Sequence, residues 1–186
     1  TVLALNPEGS ILASGSLDGT VIFWDINEKK LLKSSKVTGK GSVKSLVFHP
    51  NENILAIGGE DGSLQFRDLT EMNLQFKLPH HKKAVTSLDF NFEGDLLVSS
   101  SGDGKLIVWE WKLRKQRFEI EINDRITDLS IHPLQNEIAL VTAGGSLEIW
   151  SLSTGSQLHT INKSEHAHTS IEYDSHGQRI VIGLED

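Results

Sequence analysis

The chain repeats one pattern about every forty residues, and this repeat limits the possible folds more than any other feature. Windows that begin at residues 1, 44, 86, 127 and 169 align without a gap, which gives successive periods of 43, 42, 41 and 42 residues. The first window reads TVLALNPEGSILAS and the third TSLDFNFEGDLLVS. Self-similarity at a fixed period of this length is typical of a chain built from repeated structural units.

Each unit is predicted to contain four short strands, such as VLAL, ILASGS, TVIFW and LLKSS in the first unit. The second and third strands meet at Asp18-Gly19, Asp61-Gly62 and Asp103-Gly104, a pair that favours two-residue hairpin turns because both turn residues take positive φ. No helical period of useful length occurs. The sequence therefore predicts an all-β fold, a β-propeller of four-stranded antiparallel blades, of which about four and a half are present.

These features resemble those of the WD-repeat β-propeller family. The resemblance is carried by Trp24-Asp25, Trp109-Glu110 and Trp150-Ser151 at the ends of third strands, by the Asp-Gly turns and by the period. It covers the whole chain. It implies that each blade is tied together by a His before the first strand, a Ser or Thr on the second, the turn Asp and the Trp.

Carried over by alignment, the third unit has all four residues of this network: His81, Ser99, Asp103 and Trp109. A buried indole N–H or hydroxyl needs a partner, because leaving it unpaired costs on the order of 1–3 kcal/mol. The other units hold only part of the network. The first has Ser14, Asp18 and Trp24, the second has Asp61, and the fourth has Trp150.

The second and fourth units depart most from the pattern. In the second, Gly39 takes the His position, Ile57 the Ser position and Arg67 the Trp position; in the fourth, Leu140 and Gly144 take the Ser and Asp positions. We expect packing to replace the polar network in both blades. We also expect Arg67 either to reach water along the blade or to pair with a carboxylate, which would leave the polar face of the second blade partly open.

Residues 1–186 are expected to form one partial propeller domain. Its units are predicted at 1–43, 44–85, 86–126, 127–168 and 169–186. The last unit ends before its third strand, and the first residue aligns with the inside of a first strand. Because exposed blade faces and strand edges favour aggregation, we expect the chain to be part of a longer one.

Composition favours an intracellular protein, cytoplasmic or nuclear, without membrane spans or disulfides. The chain has no Cys, and its net charge of −7 argues against broad non-specific nucleic-acid binding.

No catalytic site, cofactor or metal is expected. His81, Ser99 and Asp103 have the residue types of a hydrolase triad, but the blade network accounts for them. The pairs His80-His81 and His166/His168 are interpreted as solvated loop histidines.

Two surfaces are candidates for partner binding. The first, called here the Asp-Gly end, carries the hairpin turns and the loops that enter first strands: Leu17, Glu60, Lys82, Lys83, Gly102, Arg125 and Ala143. The second, called the basic rim, comprises Lys112, Arg114, Lys115 and Arg117. The favoured function is a non-enzymatic protein-protein interaction scaffold, a module of a larger protein or complex that binds proteins or peptides. The alternatives are an RNA- or DNA-associated propeller that uses the basic rim, and a propeller attached to an enzyme.

Overall fold

The computed structural model describes residues 2–38, 41–79, 81–161 and 166–185. All regular elements in this part of the chain are β-strands. A search of the same residues found no helix with the length and apolar character needed to cross a bilayer.

The strands form sheets whose members follow one another in the sequence. Blade 1 contains β1 (Val2–Leu5), β2 (Ile11–Gly15), β3 (Thr20–Asp25) and β4 (Lys30–Lys36). Blade 2 contains β5 (Val43–Phe48), β6 (Ile54–Gly59), β7 (Leu64–Asp68) and β8 (Leu74–Leu78). Blade 3 contains β9 (Val85–Phe90), β10 (Leu96–Ser101), β11 (Lys105–Glu110) and β12 (Lys115–Glu121). Blade 4 contains β13 (Ile126–Ile131), β14 (Glu137–Thr142), β15 (Leu147–Ser151) and β16 (Gln157–Ile161). In blade 5, β17 (His168–Tyr173) pairs with β18 (Ile180–Leu184). The all-β prediction of four-stranded antiparallel blades is confirmed.

The hairpin turns between second and third strands lie at the three predicted Asp-Gly pairs and at Gly144-Gly145. Only the second residue of each turn has the positive φ that favours glycine: Gly19 (83°), Gly62 (82°), Gly104 (81°) and Gly145 (79°). The expectation of positive φ at both turn residues is therefore wrong. Gly62 also meets a close neighbour, since a Cβ there would lie 2.2 Å from the His81 carbonyl oxygen. The first three turns thus lie against the loop that enters the next first strand, through contacts with Thr38, His81 and Ile122.

The core lies between consecutive blades. Val21 and Phe23 of blade 1 pack with Leu55 and Ile57 on one face of blade 2. The other face of blade 2, with Phe66, packs against Leu97 and Trp109 of blade 3. Because the middle blades are covered on both sides, every residue of β6 and β10 is buried. This explains why the inner strands are apolar on both faces.

The first strands of neighbouring blades are in contact, so they form the inner side of the array, and the fourth strands form the outer edges. Each outer strand contains one bulged residue at an equivalent position: Leu32, Gln75, Arg117 and Leu158. A bulge disrupts the ladder of free hydrogen-bonding groups, which protects an edge from pairing with another strand.

Candidate functional site

The structure brings together all four network residues of blade 3. His81 Nε2 lies 2.8 Å from Ser99 Oγ, and the Trp109 indole N–H donates to the same oxygen at 3.0 Å. His81 Nδ1 faces Asp103 Oδ1 at 3.5 Å, which is longer than an ordinary hydrogen bond. The other Asp103 oxygen accepts the backbone N–H of Lys82 at 2.8 Å. The network thus joins the second strand, the third strand, the turn and the entering loop.

Burial determines the charge states in this network. Desolvation lowers the pKa of His81, which outweighs the opposing effect of Asp103 and keeps the ring neutral near pH 7. Burial acts to raise the pKa of Asp103, but backbone N–H donors from Lys82 and Lys105 and the nearby His81 hold it below its usual value. The Ser99 side chain is fully buried. A hydroxyl enclosed in this way has no approach for a substrate, so the arrangement supports a structural role.

Blade 1 retains the part of the network that its sequence carries. The Trp24 indole N–H donates to Ser14 Oγ at 3.0 Å, as in blade 3. Asp18 accepts the N–H of Thr20 within its own turn, and this bond and one from Ser16 lower the pKa of Asp18. Asp61 of blade 2 makes the same turn contact with the N–H of Ser63 at 3.1 Å.

No ion pair of Arg67 is found among the described residues, and the prediction that its face of blade 2 is partly open is wrong. The side chain is only 9% exposed, and its Nη1 donates to the Met72 carbonyl at 3.3 Å instead of pairing with a carboxylate. Its Nε has no hydrogen-bond partner. Arg67 lies opposite Leu55 on the face of blade 2 that packs against blade 1, so that face is closed. Desolvation lowers the pKa of Arg67. A backbone carbonyl of the following turn supplies the acceptor that the strand pattern does not reveal. Gly39, expected at the His position, lies outside the described residues.

The expectation that packing replaces polar contacts in blades 2 and 4 also needs correction. In blade 2, Glu60 Oε2 accepts the backbone N–H of Ser42 at 2.9 Å and its hydroxyl at 2.8 Å, which lowers the pKa of Glu60. In blade 4 the carboxylate lies in the loop and the donor in the turn, because Asp124 accepts the N–H of Gly144 at 2.7 Å. A carboxylate therefore bridges loop and turn in blades 2, 3 and 4, from three different positions.

Trp150 also uses a local partner. Its indole N–H donates to Glu148 Oε2 at 2.9 Å, since Leu140 stands where blade 3 has Ser99. The sequence signal for the Trp150 contact is Glu148, a carboxylate two residues before the Trp, whereas Asp124 lies 20 residues from Gly144 and gives no local signal.

A further set of structural residues was missed by the sequence reasoning. The residue that follows each first strand accepts a backbone N–H from the segment that leads into the second strand: Asn6, His49, Asn91, His132 and Asp174. His49 Nε2 also reaches the next blade, 2.8 Å from the Gly94 carbonyl oxygen. The signal was available, because the five positions align and all carry side chains that can accept a hydrogen bond.

Two carboxylates on inner strands also join neighbouring blades. Asp89 Oδ2 accepts the N–H of Ile131 at 2.8 Å, and Asp128 Oδ2 accepts the N–H of Ile171 at 2.9 Å. Desolvation raises the pKa of Asp89 to about 7 and also raises the pKa of Asp128. The pKa of Glu172 is raised by burial and by nearby Asp128. These side chains give the inner side of blades 3 to 5 a pH-sensitive set of contacts.

The residues of the Asp-Gly end lie where turns and entering loops meet. The N–H groups of Glu60, Gly102 and Ala143 donate to carbonyls of the entering loops, at 2.9, 3.0 and 2.9 Å. Arg125 supplies one of these carbonyls, and its side chain passes Gly102 of blade 3, so Gly102, Arg125 and Ala143 are adjacent. Lys82, Lys83, Arg125 and Leu17 are exposed. Glu60 is instead held by Ser42.

The basic rim lies on a different part of the molecule. Lys112 and Arg114 are in the turn between β11 and β12, and Lys115 and Arg117 are on the exposed outer strand β12. The interpretation of the two histidine pairs as solvated loop residues is wrong for His81, which is buried in the blade 3 network, and for His168, which is buried at the start of β17. His166 is exposed, and His80 lies outside the described residues. Within the part of the chain that the structure describes, no three His, Cys, Asp or Glu side chains are grouped so as to hold a metal ion.

Comparisons with known proteins agree with this geometry. Residues 3–93 match the model of the anaphase-promoting complex subunit 4 WD40 domain. A chain in the crystal structure of the mitotic checkpoint complex superposes with a TM-score of 0.88 at 20% identity, over 98% of this chain and 56% of that one. That likeness shows the fold.

Several curated relatives are similar in sequence. The target of rapamycin complex subunit wat1 of Schizosaccharomyces pombe is 29% identical over 55% of this chain and 33% of the relative. The periodic tryptophan protein 2 homolog of the same organism is 28% identical over 86% of this chain and 14% of the relative. Eukaryotic translation initiation factor 3 subunit I of Bombyx mori is 32% identical over 50% of this chain and 28% of the relative. The chain thus spans a third or less of these relatives, two of which are named as subunits of larger assemblies. Repeat, blade geometry and comparisons together support the resemblance to the WD-repeat β-propeller family.

Proposed function

We propose that this chain is a non-enzymatic scaffold module that binds other proteins or peptides within a multi-subunit assembly, in the cytoplasm or nucleus. The main support is the Asp-Gly end. There, Arg125 lies between the turns of blades 3 and 4, and Lys82 and Lys83 project from the loop held by Asp103.

Backbone hydrogen bonds hold these loops to the turns, so the exposed side chains are presented from a fixed frame. A preorganised surface loses less conformational entropy on binding than a mobile one, which favours a binding role. The complete enclosure of Ser99 supports the absence of hydrolase chemistry in the blade network. The names of two relatives, as subunits of larger assemblies, agree with a role in assembly.

The test is co-purification of the intact protein with its stoichiometric partners, comparing wild type with the double variant Lys83→Glu/Arg125→Glu. Charge reversal on the binding surface is expected to weaken the partner about tenfold or more, because like charges then face one another. Lys77→Glu is the matched control, since Lys77 is exposed on the outer strand β8, away from the Asp-Gly end.

Loss of the partner in the double variant, with retention in the control, would support the proposal. An intact protein that purifies without a stoichiometric partner would contradict the scaffold role. A partner retained by the double variant would move the binding surface away from the Asp-Gly end.

A further inference from the structure

The basic rim consists of cations that the protein itself leaves unpaired. Its four residues are exposed. The ion pairs found among the described residues use Lys30, Lys44, His81 and Lys105, and none comes from the rim. Lys105 engages both Glu119 and Glu121 of the same outer strand. Glu119 and Glu121 of β12 therefore pair with Lys105 and not with the rim.

The outer edge of blade 1 is also rich in lysine, but two of its cations, Lys30 and Lys33, are engaged. Lys30 pairs with Glu28, and Lys33 donates to the Glu71 carbonyl at 2.8 Å and to Asn73 Oδ1 at 3.2 Å. A charged side chain protects an edge against strand pairing whether or not it has a partner, and every outer strand already has a bulge that adds to this protection. Edge protection therefore does not explain why the third blade carries four free cations in six residues.

Arg114 is the most constrained of these cations. Its guanidinium carbon lies 4.0 Å from the centroid of the Phe76 ring of blade 2. Its backbone has a φ of 52°, and the equivalent residue of blade 4 is Gly155, with φ 70°. A guanidinium that stacks on an aromatic face keeps its N–H edge available for a carboxylate, and its fixed position reduces the entropy lost on binding.

A cleft beside Arg114 gives the rim a defined shape. It is lined by Glu52, Gln75, Trp111, Lys112 and Arg114. Glu52 accepts the Trp111 indole N–H at 3.1 Å, so one of its oxygens is already bound within the protein. Leu113, next in the turn, is 62% exposed and offers an apolar contact beside the cations.

We propose that the basic rim and this cleft bind a short Asp/Glu-rich segment of a partner protein, a step that rests on the scaffold function proposed above. Charge complementarity selects an acidic partner. Carboxylates bracket the rim, with Glu52 on one side and Glu119 and Glu121 on the other. A nucleic acid needs a longer track of cations for its phosphates, whereas a short acidic segment fits between the carboxylates.

The test measures binding of a fluorescent Asp/Glu-rich decapeptide to the intact protein, with the Asn/Gln counterpart and a ten-nucleotide polyuridine as competing probes. Arg114→Gly removes the guanidinium and suits the positive φ, so the fold is preserved. The matched control is Lys29→Gly, which removes an exposed cation at the equivalent turn of blade 1, where φ is 54°. The acidic peptide is expected to bind about tenfold more weakly to Arg114→Gly and to be unaffected by Lys29→Gly.

The other outcomes would overturn the proposal. Equal losses in both variants would indicate a general charge effect. Unchanged binding in Arg114→Gly, equal binding of the Asn/Gln peptide, or no binding of the acidic peptide would contradict docking at the rim. Tighter binding of polyuridine, with a steep decrease in affinity as salt increases, would identify a nucleic-acid surface instead. Each of these results leaves the scaffold role intact, because that role is tested by variants of the Asp-Gly end.

Discussion

Blades 2 and 3 are neighbours with the same strand order, yet they treat the end of the third strand differently. In blade 3 the position holds Trp109, which is 1% exposed, packs against blade 2 and donates to Ser99. In blade 2 it holds Arg67, which is buried with a single backbone acceptor and an unpaired Nε. The difference shows that the sheet frame does not depend on the Trp network, because backbone pairing and interblade packing are common to both blades.

The two blades also bridge turn and loop with different carboxylates. Blade 3 uses the turn residue Asp103, and blade 2 uses Glu60, one residue earlier. What is shared is the need to satisfy the backbone donors of the entering loop, and several side chains can meet that need. We therefore expect substitutions in blade 3 to cost more than equivalent substitutions in blade 2.

The largest effect is expected from Trp109→Ala. The change leaves a cavity between blades 2 and 3 and removes the donor to Ser99 Oγ, so the free energy of unfolding should fall by about 3–5 kcal/mol. Urea denaturation of the intact protein measures this. Trp24→Ala is the control, because Trp24 makes the same hydrogen bond to Ser14 but is only half-buried, and its loss should be smaller. Equal losses of unfolding free energy in the two variants would show that the greater burial of Trp109 does not increase its contribution to stability.

The second test is Asp103→Ala, for which the free energy of unfolding should fall by about 2 kcal/mol. The variant removes the acceptor of the Lys82 N–H and leaves His81 without its nearby carboxylate. Asp61→Ala should cost less, about 1 kcal/mol, because Asp61 binds only Ser63 within its own turn. The same denaturation experiment compares them. A larger cost for Asp61→Ala would mean that the bridge by Glu60 does not support blade 2.

The repeat made most of the fold predictable from the sequence. Period, strand pattern and Asp-Gly turns predicted the blades, because they depend on local chemistry that recurs in each unit. The alignment also indicated which residues would meet around Ser99. It did not reveal the acceptor of Arg67 or the bridge from Asp124, because both depend on backbone groups brought close only when the turns fold. A carbonyl of the main chain has no identity in the sequence, so a pattern of side chains does not show where it will point.

The same alignment located the basic rim and the Asp-Gly end. It did not show which of their charged side chains have partners within the protein. Lys33 and Arg114 belong to similar basic segments, and only the structure distinguishes the engaged lysine from the free arginine. Ion pairing depends on side-chain geometry across blades, which a single-strand pattern does not contain.

A third test replaces the unusual residue of blade 2. Arg67→Met removes a buried guanidinium whose Nη1 donates to the Met72 carbonyl, and it fills the same space with an apolar chain of similar length. Because desolvation of an unpaired charge is unfavourable, the free energy of unfolding should increase by about 1–2 kcal/mol. Arg67→Lys is the control and should destabilise, since it keeps the charge but lacks the planar fork that reaches Met72. A loss of stability in Arg67→Met would mean that the bond to the Met72 carbonyl outweighs desolvation.

The smallest effect concerns the first strands, where blade 3 has Asp89 and blade 2 has Val47 at the equivalent position. Asp89 accepts the Ile131 N–H, and its folded-state pKa of about 7 lies above the usual aspartate value of 3.8. The folded protein therefore binds more protons than the unfolded chain between those values, and the contribution of Asp89 to stability is present at about pH 4 and is lost as pH rises towards 7.

Asp89→Asn keeps an acceptor for the Ile131 N–H but does not titrate. The stability of Asp89→Asn relative to wild type should therefore increase across this interval and then stay constant. Taking the difference between variant and wild type at each pH cancels the contribution of His81, which has the opposite sign. The pKa of His81 is lowered in the folded state, so this contribution stabilises the folded protein as pH rises through the pKa of His81 in the unfolded chain. A difference that does not change with pH would show that Asp89 is ionised throughout and that its contact with blade 4 is not pH-sensitive.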